Sequence, residues 1–304
     1  MRLAPRTRLR WIKISAAALF VAVTAAGVAI YFERFNDPRA AQVFDKQGCA
    51  GCALADIRLW WADMKGFDFG NADLSRARLW WADLTGAKLS GADLHGSSLW
   101  WSSLKGIDLS YTDLSSVRMG HAAVENGNFR GALMTNADLI GANLTRANMR
   151  GADLTWADFR QSILVETDFR GAKLEKSNFY LATVTGALFG GAKMSGASLV
   201  QANLTGAVLA GADLTGANLN KTVFKNADLA AARLADAQLT GTDFSGANLR
   251  GADLSKANAW KINLTGADLT DANFTGAAMS EAILTGAKLC RTILPEGMDS
   301  SGCP

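Results

Sequence analysis

The stretch GADLTGANL (211–219) holds the rule by which the chain folds. Leu214 and Leu219 lie five residues apart, and each follows an alanine two positions back (Ala212, Ala217) and an Asp or Asn one position back (Asp213, Asn218). A glycine precedes each alanine. Extended in both directions, the register runs without insertion or deletion from Leu54 to Leu294, giving 49 units. Their centres are 31 Leu, 9 Phe, 6 Met, 2 Val and one small exception, Ala259; the residue two before the centre is Ala in 33 of the 49. A period of five fits neither the 3.6 of a helix nor the 2.0 of a strand. It fits a chain that turns a corner once per unit, sending the large centre and the small residue inward and three residues outward.

A second period sets the number of sides. Trp-Trp occurs at 60–61, 80–81 and 100–101, each time after a leucine. The spacing is four units, so the sequence predicts four sides per coil, with equivalent residues stacked at the ~4.8 Å inter-strand distance. The expected fold is an all-β solenoid, a right-handed quadrilateral parallel β-helix of about twelve coils and roughly 58 Å. A filled axis of Leu and Phe ladders leaves no internal cavity for a substrate, and each buried side chain contributes about 1.5–3 kcal/mol.

The pattern resembles the pentapeptide-repeat family, whose consensus is similar to A(D/N)LXX, over about 80% of the chain. The resemblance implies the four-sided right-handed β-helix. It does not imply an activity, because fold and function are separable.

Charge is distributed unevenly. Residues 1–44 carry seven basic side chains (Arg2, Arg6, Arg8, Arg10, Lys13, Arg34, Arg39) against Glu33 and Asp37. Subtracting these from 31 and 28 leaves 24 basic and 26 acidic side chains, so the remainder is near neutral at −2. A nucleic-acid binder needs a basic footprint that this body lacks. Some quinolone-resistance members of the family are DNA mimics that protect a topoisomerase. The resemblance raises that alternative, but the neutral body and the exported topology expected below speak against it.

Residues 14–32, ISAAALFVAVTAAGVAIYF, are uncharged and mostly apolar. A helix of this length spans roughly 28 Å, close to the ~30 Å hydrocarbon core of a bilayer. Five cations precede it and two charges of each sign follow, so the positive-inside rule places the N-terminus in the cytoplasm and the body on the exported side of a membrane. Trp11, Tyr31 and Phe32 fall near the two interfaces. Ala and Gly near 25–27 suit a signal-peptide cleavage site, but the apolar run continues to Phe32 and favours an uncleaved anchor. The expected organisation is therefore a basic cytoplasmic 1–13, a transmembrane helix 14–32, a linker and N-terminal cap 33–51, a repeat array 52–296 and a C-terminal tail 297–304.

A solenoid needs capped ends. FDKQGCAGCALADI (44–57) resembles the Cys-x-x-Cys entry that opens many pentapeptide arrays, which implies Cys49 and Cys52 in the first turn, either as a tight disulfide or as free thiols. Cys290 and Cys303 flank Pro295 and Gly297 and suit a clip on the last turn. Four cysteines allow three pairings. The Cys49–Cys52 spacing also occurs in covalent haem attachment, but Ala53 stands where that motif needs histidine. Two cysteines at each end of a long rod cannot share a zinc ion.

No catalytic constellation emerges. His95 and His121 fall in different outward columns, the many Asp sit where a side chain bonds a corner backbone, and no phosphate loop or nucleophile elbow is present. No cofactor, metal, nucleic acid or small-molecule substrate is expected. The outward columns are more informative. Trp60, Trp61, Trp80, Trp81, Trp100 and Trp101 form an aromatic patch of several hundred Å², a size that usually marks a contact surface. Arg58 and Arg78 flank it on one side and Asp63 and Asp83 on the other. Such a patch suits a protein partner or a second copy, with bilayer headgroups or a glycan as other occupants. A second column, Arg130, Arg150, Arg170 and Arg250, reads as solvated cations paired with nearby Asp153 or Asp168. The function expected is a non-catalytic, membrane-anchored scaffold that binds through its Trp face; a purely structural envelope element is the other alternative.

Overall fold

The computed structural model of the chain describes residues 37–303. Within them nearly every centre opens a turn closed by a backbone hydrogen bond, as from the Ile57 N–H to the Leu54 carbonyl (3.1 Å) and from Ala217 to Leu214 (3.0 Å). The third residue of each turn has positive φ, and this holds for every fifth residue from 51 to 291. That is the signature of a type II turn, in which glycine avoids the Cβ penalty. The glycine before each alanine in the motif is this residue.

Between turns the residue before the centre is extended and bridges its equivalent twenty residues on, in parallel, from Gly48↔Asp68 to Asn273↔Ile293. Twenty residues are four units, so each coil has four sides. Every layer is tied to the next by pairs such as Leu214 N–H to Arg233 O (2.7 Å) and Arg233 N–H to Ala212 O (2.9 Å). Asp and Asn at the bridge positions fold back on the following turn. Asp213 accepts from the Thr215 amide (3.1 Å) and hydroxyl (2.6 Å), and Asp153 and Asp268 bond Thr155 and Thr270 in the same way. The Asp residues therefore act as turn formers.

The axis is filled. Phe159 stacks on Phe179 at 4.7 Å and Phe169 on Phe189 at 4.9 Å, and Phe159 meets Phe169 edge-on at 5.8 Å. The exception at Ala259 has a local compensation: Ile262, in the small-residue position of the same turn, is fully buried with it. A large residue has exchanged places with a small one, which keeps the layer's volume.

Helix α1 (Pro38–Asp45) caps the N-terminal end, burying Ala40 and Val43. Asp37 caps α1 by accepting from the Arg39 amide, and Arg39 Nη1 reaches the Ala53 and Ala55 carbonyls of the first coil at 3.2 and 3.1 Å. At Gly48 a Cβ would lie 2.3 Å from the Asp68 carbonyl oxygen, so only glycine admits the first bridge. Cys49 and Cys52 are joined by a disulfide across the first turn. At the other end the repeat yields to an antiparallel hairpin, β1 (Thr292–Leu294) with β2 (Gly297–Asp299). Pairing thus begins inside the expected array 52–296 and draws in part of the tail. A Cys290–Cys303 disulfide and a bond from Gly302 N–H to Leu289 O (2.7 Å) fold the tail back.

No helix among the described residues is long and apolar enough to cross a membrane. The basic segment 1–13 and the apolar segment 14–32 lie outside the described residues.

Candidate functional site

Leu59 and Ala62 begin and end a turn, so Trp60 and Trp61 occupy its two central positions, as do Trp80–Trp81 and Trp100–Trp101 in the next two coils. The six rings therefore line one corner of the coil, an edge rather than a flat wall. Trp61, Trp81 and Trp101 stand in the left-handed position, at φ +52°, +55° and +60°. Trp61 and Trp81 are each 44% exposed and Trp101 51%, with Trp100 at 38%.

The first two layers are stacked: Trp60 on Trp80 at 5.3 Å and Trp61 on Trp81 at 4.9 Å, nearly parallel. The third layer breaks away. Trp101 stacks instead on His121 of the following coil at 4.3 Å, and Trp100 meets His121 edge-on at 6.4 Å. Two glycines permit this. A Cβ on Gly120 would come 3.3 Å from the Trp100 ring, and a Cβ on Gly141 would come 2.5 Å from the His121 ring. The result is a cleft of about 410 Å³ between the second and third layers, lined by Trp80, Trp81, Ser98, Trp100, Trp101 and Arg118.

Ser98 and Arg118 bring the arginine column to the wall of the cleft. The column beside the rings runs Arg58, Arg78, Ser98, Arg118, each bridged to the next. The Trp80 indole N–H donates to the Ser98 hydroxyl. The position equivalent to Ser98 for Trp60 is Arg78, whose side chain has no acceptor, and among the described residues the buried Trp60 Nε1 has no hydrogen-bond partner. On the opposite side Asp83 is neutralised by Lys65 at 3.1 Å. Burial raises the Asp83 carboxyl, but the Thr85 hydroxyl and amide and then Lys65 more than offset this, holding it below the usual carboxylate range.

The other singled-out residues are dispersed. His95 Nδ1 lies 2.8 Å from the Ser115 hydroxyl, away from His121. In the second arginine column Arg170 pairs with Asp168 at 2.6 Å, Arg150 with the same carboxylate at 4.0 Å and Arg250 with Asp268 at 3.3 Å. Asp153 pairs with Lys173 at 3.0 Å. Trp260, further along the Trp60 column, is covered by Lys261 at 4.2 Å and donates to Glu281 at 3.1 Å. Sequence reasoning missed the cleft itself and with it Ser98, Arg118, Gly120, His121 and Gly141. The one available signal was the change from Trp100–Trp101 to Gly120–His121 in the same columns.

The geometry defines a class, a four-sided β-solenoid built from five-residue units. The pentapeptide-repeats profile matches overlapping segments that together run from residue 52 to 294. The chain belongs to the pentapeptide-repeat family, and its body is a right-handed β-helix. Among solved structures it is similar to HetL, a pentapeptide repeat protein involved in heterocyst differentiation regulation from the cyanobacterium Nostoc sp. strain PCC 7120, with 31% identity, 73% of this chain and 91% of that one covered, and a TM-score of 0.46. QnrB1, a plasmid-mediated fluoroquinolone resistance protein, matches with 20% identity over 68% of this chain and 89% of its own, at a TM-score of 0.33. A pentapeptide repeat protein of the Arabidopsis thaliana thylakoid lumen matches with 38% identity over 32% of this chain and 61% of its own, at a TM-score of 0.22. No curated protein sequence matches the chain.

Proposed function

We propose that the protein is a non-catalytic interaction rod, tethered to a membrane through residues 14–32 with its solenoid on the exported side, and that it binds a protein partner through the tryptophan edge. The single observation that carries this reading is the third layer. Stacking all three Trp pairs would cover their faces, yet Trp100 and Trp101 lean away and leave apolar ring surface lining an open cleft. Aromatic anchors in clefts of this kind are where binding energy concentrates in protein interfaces. The apolar length and basic flank of the N-terminal segment support the tether.

The test is photo-crosslinking in intact cells from a probe placed at position 81, followed by detergent extraction. A discrete crosslinked protein is expected, lost in the Trp80→Ala/Trp100→Ala variant. The same adduct pattern from the variant, or no adduct at all, removes the reading. Protease accessibility of the solenoid from the exported side tests the topology separately.

A further inference from the structure

Nine of the thirteen arginines among the described residues hold a carboxylate within 4.0 Å; the exceptions are Arg58, Arg78, Arg118 and Arg130. Three of these four stand in the one column that borders the tryptophan edge. The contrast with an adjacent column is direct, since Arg76 is held by Asp56 at 2.8 Å. Within the bordering column Arg58 bridges Arg78, like charge against like charge, an arrangement that costs stability. Arg78 also leaves the buried Trp60 indole N–H without an acceptor where a serine in the equivalent place serves Trp80. The fold gains nothing from Arg78 by either account.

Resting on the reading of the edge as a protein-binding site, we infer that its partner is an acidic peptide segment carrying one aromatic side chain. The aromatic ring enters the cleft between Trp80–Trp81 and Trp100–Trp101, and carboxylates on the same segment neutralise Arg58, Arg78 and Arg118. Several observations select this occupant. Arg58 and Arg118 are three coils apart, roughly 14 Å at ~4.8 Å per layer, which an extended segment of about four to five residues covers and a small molecule does not. The cleft offers four indoles but few polar groups, and Ser98 is already engaged by Trp80, so the hydroxyls of a sugar would find few partners. Asp63 on the far side of the edge opposes the continuous negative charge of a nucleic acid, whose binding also needs a wider basic surface.

Selection of a displayed random heptapeptide library on the detergent-solubilised full chain tests this. Expected are sequences with one Phe, Tyr or Trp flanked by Asp or Glu. Their affinity should fall by at least about tenfold in the Arg58→Ser/Arg78→Ser/Arg118→Ser variant and in Trp100→Ala, and should weaken as salt rises. Enriched sequences without an acidic bias, or affinity kept by the triple arginine variant, overturn the acidic partner while leaving the edge as a binding site. Tighter binding of polygalacturonate, of a thymidine oligonucleotide or of phosphatidylglycerol vesicles at the same residues overturns the peptide in favour of that class. No enrichment above the Trp80→Ala/Trp100→Ala background overturns both this inference and the function it rests on. Arg78→Ser alone supplies a readout that folding cannot confound: its melting temperature should rise while peptide affinity drops. A lowered melting temperature would show that Arg78 serves the fold and would count against the inference.

Discussion

Trp81 holds a φ of +55°, the conformation that glycine takes at the same turn position in Gly66 and Gly86. A side chain there costs roughly 1–2 kcal/mol. Its parallel stack on Trp61 at 4.9 Å and its edge-on contact with Trp80 at 6.4 Å together return roughly 1–3 kcal/mol. The two effects nearly cancel, so stability does not explain the tryptophan. Trp81→Gly is expected to shift the thermal midpoint by less than about 4 °C, followed by circular dichroism. A loss of much more than that would make the ring a structural staple and undercut its role as displayed surface. Trp101 differs in that its stacking partner is His121 rather than another indole.

Each five-residue element is a turn plus one bridge residue, and its tolerance depends on how centre and small residue share the interior. Ala259 with Ile262 shows that the two positions trade volume. Gly127 shows the limit: a Cβ there would lie 2.8 Å from the Phe129 ring and 3.1 Å from Val124 Cγ1, although alanine fills this position in most units. Gly127→Ala is expected to destabilise the protein by about 1–3 kcal/mol through overpacking, read from the denaturant midpoint. No measurable change would mean that this coil is loosely packed. The terminal elements follow other rules. Helix α1 and the β1–β2 hairpin interrupt the pattern because a solenoid's first and last coils have no neighbour to bond, and each end carries a disulfide.

Across the whole molecule three bridge-position aspartates, each followed two residues on by a threonine, share one electrostatic design. In Asp153, Asp213 and Asp268 burial raises the carboxyl, but hydrogen bonds from the threonine two residues on, with cationic neighbours, bring it below its ordinary value. A carboxyl lowered in the folded state contributes stability that is complete above its unfolded pKa and is lost as pH falls through the folded value. Thermal stability should therefore be level from about pH 8 to pH 5 and decline below about pH 4, recorded as melting temperature against pH. A decline that starts near pH 6 would show that these carboxylates do not set the acid limit. The body is near neutral overall, so among the described residues the column of Arg58, Arg78 and Arg118, with no carboxylate within 4.0 Å, stands out against a surface whose other arginines are mostly matched.

The coil was legible in the sequence because its cause is local and repeated. A large residue every five positions, a small one two before it and a glycine in the turn each impose the same step, and the 20-residue spacing of the Trp pairs gave the column register that the bridges display. The edge was legible too, since residues four units apart must share a column. The cleft was not. It arises because Trp100 and Trp101 lean toward space left by Gly120 and Gly141, a choice of rotamer between adjacent coils that periodicity does not encode. Nor did periodicity show which arginines lack a carboxylate, because pairing depends on where flexible side chains end rather than on where their backbones start. Sequence alone determined the repeating coil and the column each residue occupies; only the tertiary structure decided how side chains from neighbouring coils divide the space between them, since that depends on contacts made twenty residues apart.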